Sequence, residues 1–120
     1  MGINVNCVRD VLKIVADKPF GQYVNSSNLG LDKTYSKKVI ESTVQSLYES
    51  NLIKVENEYL LNDDLDYSIG ELTRAGCQLL TQLKSDACFK NIKESANQYN
   101  ERQVTIRTLQ RLAAKYNAPR

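Results

Sequence analysis

Histidine is absent from this 120-residue sequence. Its absence removes the side chain most used for acid–base chemistry near neutral pH. It also leaves Cys7, Cys77 and Cys88 without the partners a zinc site draws on, and their spacing is too wide for paired ligands. Three is an odd number of thiols, which argues against a disulfide framework. A Cys77 to Cys88 bridge is the alternative to free thiols acting as small buried hydrophobes, the commoner state. The five glycines build no phosphate-cradling loop, and no serine or cysteine sits in a nucleophile motif. Asp63, Asp64 and Asp66 are close together but lack the glycine and distal glutamate of a calcium loop. The chain is therefore not expected to be an enzyme, nor to carry a cofactor or metal. No apolar run approaches the ~20 residues of a membrane span, and the N-terminus lacks the basic-then-apolar layout of a signal peptide. A cytoplasmic protein with no membrane contact is expected.

The residues present describe a soluble globular domain. Hydrophobic residues make up 42% and charged residues 25%, ordinary values that disfavour disorder. A chain of this length buries about two-thirds of the surface its unfolded form exposes, enough for one small core. The net charge of +2 says little, but its distribution is uneven. Between Asn51 and Gly70 five acids (Glu56, Glu58, Asp63, Asp64, Asp66) face one base, Lys54. Between Glu101 and Arg120 five bases (Arg102, Arg107, Arg111, Lys115, Arg120) face Glu101 alone. Opposite charges are thus concentrated on two different parts of the chain.

Periodicity gives the order of elements. Asn4 or Asn6 can cap a first helix whose apolar stripe is Val8, Val11, Leu12, Ile14 and Val15; Lys18-Pro19 stops it, because the residue before proline leaves the helical region. Gln22 to Asn25 reads as a short strand and Ser26 to Lys33 as turn or a short helix. Ser36 caps the next helix, with Val39, Ile40, Val44, Leu47 and Tyr48 on its buried side. Asn51, tolerant of the left-handed region, ends it. Leu52, Ile53 and Val55 begin a strand that Glu56 to Glu58 either turns or continues. Asn62, Asp63 and Asp64 are expected at a hairpin tip, and Tyr67 to Leu72 at the returning strand. Thr73 caps a helix facing Leu79, Leu80 and Leu83 inward, where Gly76 lets a neighbouring backbone come close. A helix from Ser85 or Asp86 carries Phe89, Ile92, Ala96 and Tyr99. A last one places Ile106, Leu109, Ala113 and Tyr116 on one side.

The fold class this implies is mainly α with a small antiparallel β-hairpin: a winged helix-turn-helix over residues 1–84, and a C-terminal helical extension over 85–120 packing on the same core. The segments Tyr35-Ser36, Leu47 to Ile53, Leu72-Thr73 with Gly76, Leu79-Leu80, and Phe89 with Lys93 carry a resemblance. Together they resemble a family of small uncharacterised proteins, a domain of unknown function common in Gram-positive bacteria and their phages, and more distantly YjcQ-like winged-helix proteins. The likeness spans Val8 to about Tyr116. It departs at Asn51, where the family usually has glycine, at Arg74, where it has an aromatic residue, and at Cys77, where it has histidine. The resemblance implies a winged-helix fold and a phage or prophage origin, and brings no established activity.

In a winged helix the segment from Ser36 to Ser50 would lie in the major groove of DNA, its N-terminal residues nearest the bases. Lys37 and Lys38 suit phosphates, and Ser42 and Gln45 suit base edges. Glu41 and Glu49 cancel the lysines, so a merely solvated helix face is the competing reading. The wing carries Glu56, Glu58, Asp63, Asp64 and Asp66, which would repel phosphate. Arg107, Arg111 and Lys115 follow at i, i+4 and i+8 as a second basic ridge; they also complement a helix C-terminus without any function. Double-stranded DNA bound through Lys37, Lys38, Ser42 and Gln45, with Arg107, Arg111 and Lys115 on the backbone, is the leading expectation. The alternative is a protein-interaction module, a phage-encoded inhibitor of a host nuclease or defence protein using the acidic wing or the last helix. Homodimerisation through the C-terminal helices is a further expectation.

Overall fold

The computed structural model describes residues 4–19, 21–61, 64–97 and 105–117. Helix α1 (Val5–Asp17) begins where the Asn4 side chain accepts the Cys7 N–H at 3.0 Å, and ends as Lys18 turns extended before Pro19. Its buried stripe is Cys7, Val8, Val11, Leu12 and Val15, with Ile14 partly covered. Strand β1 is only Val24–Asn25, and a 3-10 turn (Ser26–Asn28) follows. The buried Ser26 hydroxyl accepts the Tyr67 N–H at 3.0 Å, which fastens this turn to the sheet.

Helix α2 (Lys37–Glu49) is capped by Ser36, whose side chain accepts the Val39 N–H. At its far end Asn51 has φ +61°. The Asn51 N–H bonds the Tyr48 carbonyl and the Leu52 N–H the Leu47 carbonyl, the paired bonds of a left-handed helix stop. That stop reverses the chain directly into β2 (Ile53–Leu61), which pairs antiparallel with β3 (Asp64–Leu72). The sheet order is β1-β3-β2, with Val24 opposite Ile69 and Asn25 opposite Ser68. The β2–β3 register runs from Ile53↔Leu72 to Leu61↔Asp64 and breaks on both sides of Val55. Glu56 to Glu58 therefore continue the strand. The returning strand starts three residues before the expected Tyr67, because pairing extends to Asp64; Asn62 and Asp63 lie outside the described residues.

Helix α3 (Arg74–Lys84) opens with the Thr73 side chain accepting the Gly76 N–H. The same hydroxyl donates to the Asn51 carbonyl at 2.6 Å, so one cap joins the start of α3 to the end of α2. Gly76 is buried against the Leu52 carbonyl, where a β-carbon would collide. Helices α4 (Asp86–Asn97) and α5 (Ile106–Asn117) pack on each other and on α3. The architecture is mainly helical with a small three-stranded antiparallel sheet, an arrangement compatible with a winged helix.

One hydrophobic cluster runs through all five helices and the sheet, from Val8, Val11 and Leu12 through Leu47, Ile69 and Leu83 to Ile92 and Leu109. Leu112 belongs to it as well, a position the 3–4 residue spacing around Ile106, Leu109 and Ala113 had left out. The side chains of Ala96, Tyr99 and Tyr116 lie outside the described set. All three cysteines are free thiols. Cys7 is buried, but Cys77 is exposed, correcting its reading as a small buried hydrophobe. It lies on the side of α3 away from Leu79, Leu80 and Leu83. Among the described residues no helix is long and apolar enough to cross a membrane.

Candidate nucleic-acid interface

Helix α2 buries Ile40, Thr43, Val44 and Leu47 against the body of the protein. At 100° per residue, the opposite side is the row Lys38, Ser42, Gln45 and Glu49, spaced i, i+4, i+7 and i+11, with Lys37 on its flank. Lys37, Lys38, Gln45 and Glu49 are exposed; Ser42 and Glu41 are half-buried. The folded chain thus brings three of the four expected α2 residues into one outward row. It adds Glu49 at the far end, where the Gln45 amide donates to the Glu49 carboxylate at 3.1 Å. The first turn of α2 contains no acid. Its two lysines and the positive end of the helix dipole therefore act together at the N-terminus, with Glu41 following one turn on and Glu49 in the last turn. The helix is neutral as a sum, but its first turn carries only positive charge.

A polar tie holds the start of α2 on α1. The Tyr35 hydroxyl donates to the Asp10 carboxylate at 2.7 Å, across 25 residues of sequence. Burial first, and then the adjacent Asp10 charge, push the Tyr35 phenol well above its usual range. Two turns along, buried Thr43 donates its hydroxyl to the Val39 carbonyl at 2.8 Å, with Cys7 of α1 close by. Burial raises the Cys7 thiol pKa, and the neighbouring Thr43 hydroxyl only partly opposes it, so this thiol is a poor nucleophile.

The second basic row is on α5. Ile106, Leu109, Leu112 and Ala113 are buried there, and Arg107, Arg111 and Lys115 are exposed. Helix α5 is held by α3 and α4, whereas α2 is held by α1, β2, β3 and the 3-10 turn. The two basic rows therefore belong to helices with different neighbours.

On the β2–β3 hairpin, Glu56 is exposed on β2 beside Lys54. Glu58, Asp64 and Asp66 occupy β2 and β3 with side chains outside the described set, as is the whole of Asp63. Tyr23 is the exposed large hydrophobic side chain among the described residues, at 55% exposure. Its ring lies over Gly70, and the Glu56 charge raises its phenol pKa.

Sequence reading missed the long-range ties that orient these surfaces. Arg9 bonds Asp86 at 2.9 Å and the Lys84 carbonyl at 3.3 Å, and its guanidinium lies 4.4 Å from the centre of the Phe89 ring. Lys18 and the Gly21 N–H both bond the Glu71 carboxylate. No local pattern announces such pairs. Residues 3–102 match the model of a family described as Hypothetical protein (DUF2513). No curated protein and no solved structure matches the chain.

Proposed function

We propose that this chain, which belongs to the DUF2513 family of unknown function, is a winged-helix DNA-binding protein, a transcriptional regulator of phage or mobile-element type. The observation that carries this reading is the outward row of α2. Lys37 and Lys38 stand at the positive end of the helix, Ser42 and Gln45 follow along the row, and Glu49 closes it in the last turn, with half-buried Glu41 beside it in the second turn. In this reading the N-terminal half of α2 enters the major groove, with the lysines on phosphates and Ser42 and Gln45 on base edges. Arg107, Arg111 and Lys115 assist on the backbone. The acids of the wing keep it off the phosphates, so the helix rather than the hairpin makes the contact.

The test is the binding of a labelled random-sequence duplex over a salt series. Affinity is expected to fall steeply with salt, and each of Lys37→Ala and Lys38→Ala to reduce the log–log slope by about 0.9, the value of one phosphate contact. Glu56→Gln is expected to strengthen or spare binding. No binding at low salt, or unchanged slopes in both lysine variants, would reject the reading.

The concentration of acid on the hairpin, five acids against one base from Asn51 to Gly70, favours a second reading. Here the winged helix is a scaffold and the wing occupies a basic, nucleic-acid-binding channel of a host protein. Loss of partner binding on neutralising Glu56 and Glu58, with no duplex binding by the parent protein, separates this reading from the first.

A further inference from the structure

Apolar packing between α1 and α2 is non-directional: Ile40, Val44 and Leu47 meeting the α1 stripe hold the helices together, yet tolerate tilt and sliding. Base readout does not tolerate them, because useful hydrogen bonds span only a few tenths of an ångström. A tilt of about 10° about the midpoint of a 13-residue helix moves its first turn by roughly 1.5 Å. Something directional must therefore fix α2 where its outward row begins.

Tyr35 occupies that place. It directly precedes the cap Ser36, and its side chain packs on the hydrophobic cluster. Its backbone N–H bonds the Leu31 carbonyl at 2.9 Å and its hydroxyl the Asp10 carboxylate at 2.7 Å. Asp10 lies on α1, whose other face is locked into the core through Val8, Val11 and Leu12. The residue that launches α2 is thus tied to α1 at its ring tip and, through its backbone, to the turn at Leu31 that leads into the helix. An ionised acceptor makes the hydroxyl bond shorter and stronger than a neutral one would.

We infer that Tyr35 and Asp10 are positioning residues for DNA readout by α2, setting the angle at which Lys38, Ser42 and Gln45 are presented to the groove. The inference rests on the DNA reading for its consequence, but its geometric content can be tested separately.

The experiment compares the parent protein with Tyr35→Phe, Asp10→Ala, Asp10→Asn and the double variant Y35F/D10A, well below their melting temperatures. Each is measured against a duplex selected by the parent protein and against random duplex. Tyr35→Phe and Asp10→Ala are expected to weaken selected-duplex binding by roughly tenfold, the discrimination carried by about one base contact, with random-duplex affinity and salt slope unchanged. The double variant is expected to be no worse than either single one. Asp10→Asn, whose amide oxygen still accepts the phenol, is expected to restore binding while bringing the alkaline titration of the Tyr35 ring absorbance to lower pH.

Equal losses on both duplexes, or unchanged selected-duplex binding in Tyr35→Phe, would overturn the inference. The orientation of α2 relative to α1, read from amide residual dipolar couplings, is a DNA-free arm. It is expected to shift in Tyr35→Phe with α1 and α3 keeping their mutual orientation; no shift would also overturn the inference. If the parent protein binds no duplex and α2 nevertheless reorients, the DNA reading falls and the positioning role of the pair stands.

Discussion

At Gly76 a missing side chain decides a helix packing. In an exposed helix interior, glycine to alanine would gain about 0.5–1 kcal/mol by removing backbone freedom from the unfolded chain. Here the added methyl would run into the Leu52 carbonyl oxygen, which already accepts the Thr73 N–H at 3.0 Å. Relieving the collision means moving α3 off β2. Gly76→Ala is therefore expected to destabilise the protein by about 2 kcal/mol, measured as a lower urea midpoint at unchanged m-value. A neutral or stabilising result would show that α3 can shift without cost. Gly76, like the caps Ser36 and Thr73 and the left-handed Asn51, was legible in the sequence. The caps and the helix stop depend on chemistry within three or four residues of chain, which sequence displays directly; Gly76 shows there only as a missing side chain, and the backbone it meets at Leu52 is distant in sequence.

At the scale of elements, the C-terminal end of α1 is fastened to β3 by a contact no local pattern displays. The Lys18 ammonium bonds the Glu71 carboxylate at 2.9 Å, and the Gly21 N–H bonds the same oxygen at 3.1 Å. The Lys18 hydrogen bond, followed by that of Gly21, holds the Glu71 carboxyl pKa below its usual value. A carboxyl whose pKa is lower folded than unfolded binds fewer protons when folded. Its stabilisation is complete above the unfolded value of about 4.3 and is lost as pH falls through the lower, folded value. Glu71→Gln is expected to melt below the parent protein at pH 7, and the gap to close on acidification through that window. A gap that stays constant to pH 3 would show that the pair adds no pH-linked stability. Three pairs were invisible beforehand for the same reason: Glu71 with Lys18, Arg9 with Asp86, and Tyr35 with Asp10, separated by 53, 77 and 25 residues. Many acids and bases are available to a given side chain, and only the closed fold selects among them. The candidate interface shows the same division. The outward positions Lys38, Ser42 and Gln45 follow from helical period alone, but what aims them does not.

For the whole molecule, the order of helices and strands was readable because apolar spacing changes clearly from helical to strand-like and back, at Asn51-Leu52 and again at Leu72-Thr73. Those two junctions meet in space. The Leu52 N–H closes the end of α2 on the Leu47 carbonyl, and the Leu52 carbonyl takes the Thr73 N–H. The Thr73 hydroxyl reaches back to the Asn51 carbonyl, and α3 crosses against Leu52 at Gly76. Leu52 itself is fully buried. The Leu52 and Thr73 amides are bonded where α2, the root of the hairpin and α3 meet, so freeing either one means parting these elements. In deuterated solvent the Leu52 and Thr73 amides are accordingly expected to exchange last, with protection equal to the global free energy of unfolding. Those two hydrogens would report the rare excursions in which the molecule comes entirely apart, while fraying of the hairpin and chain ends passes them unnoticed.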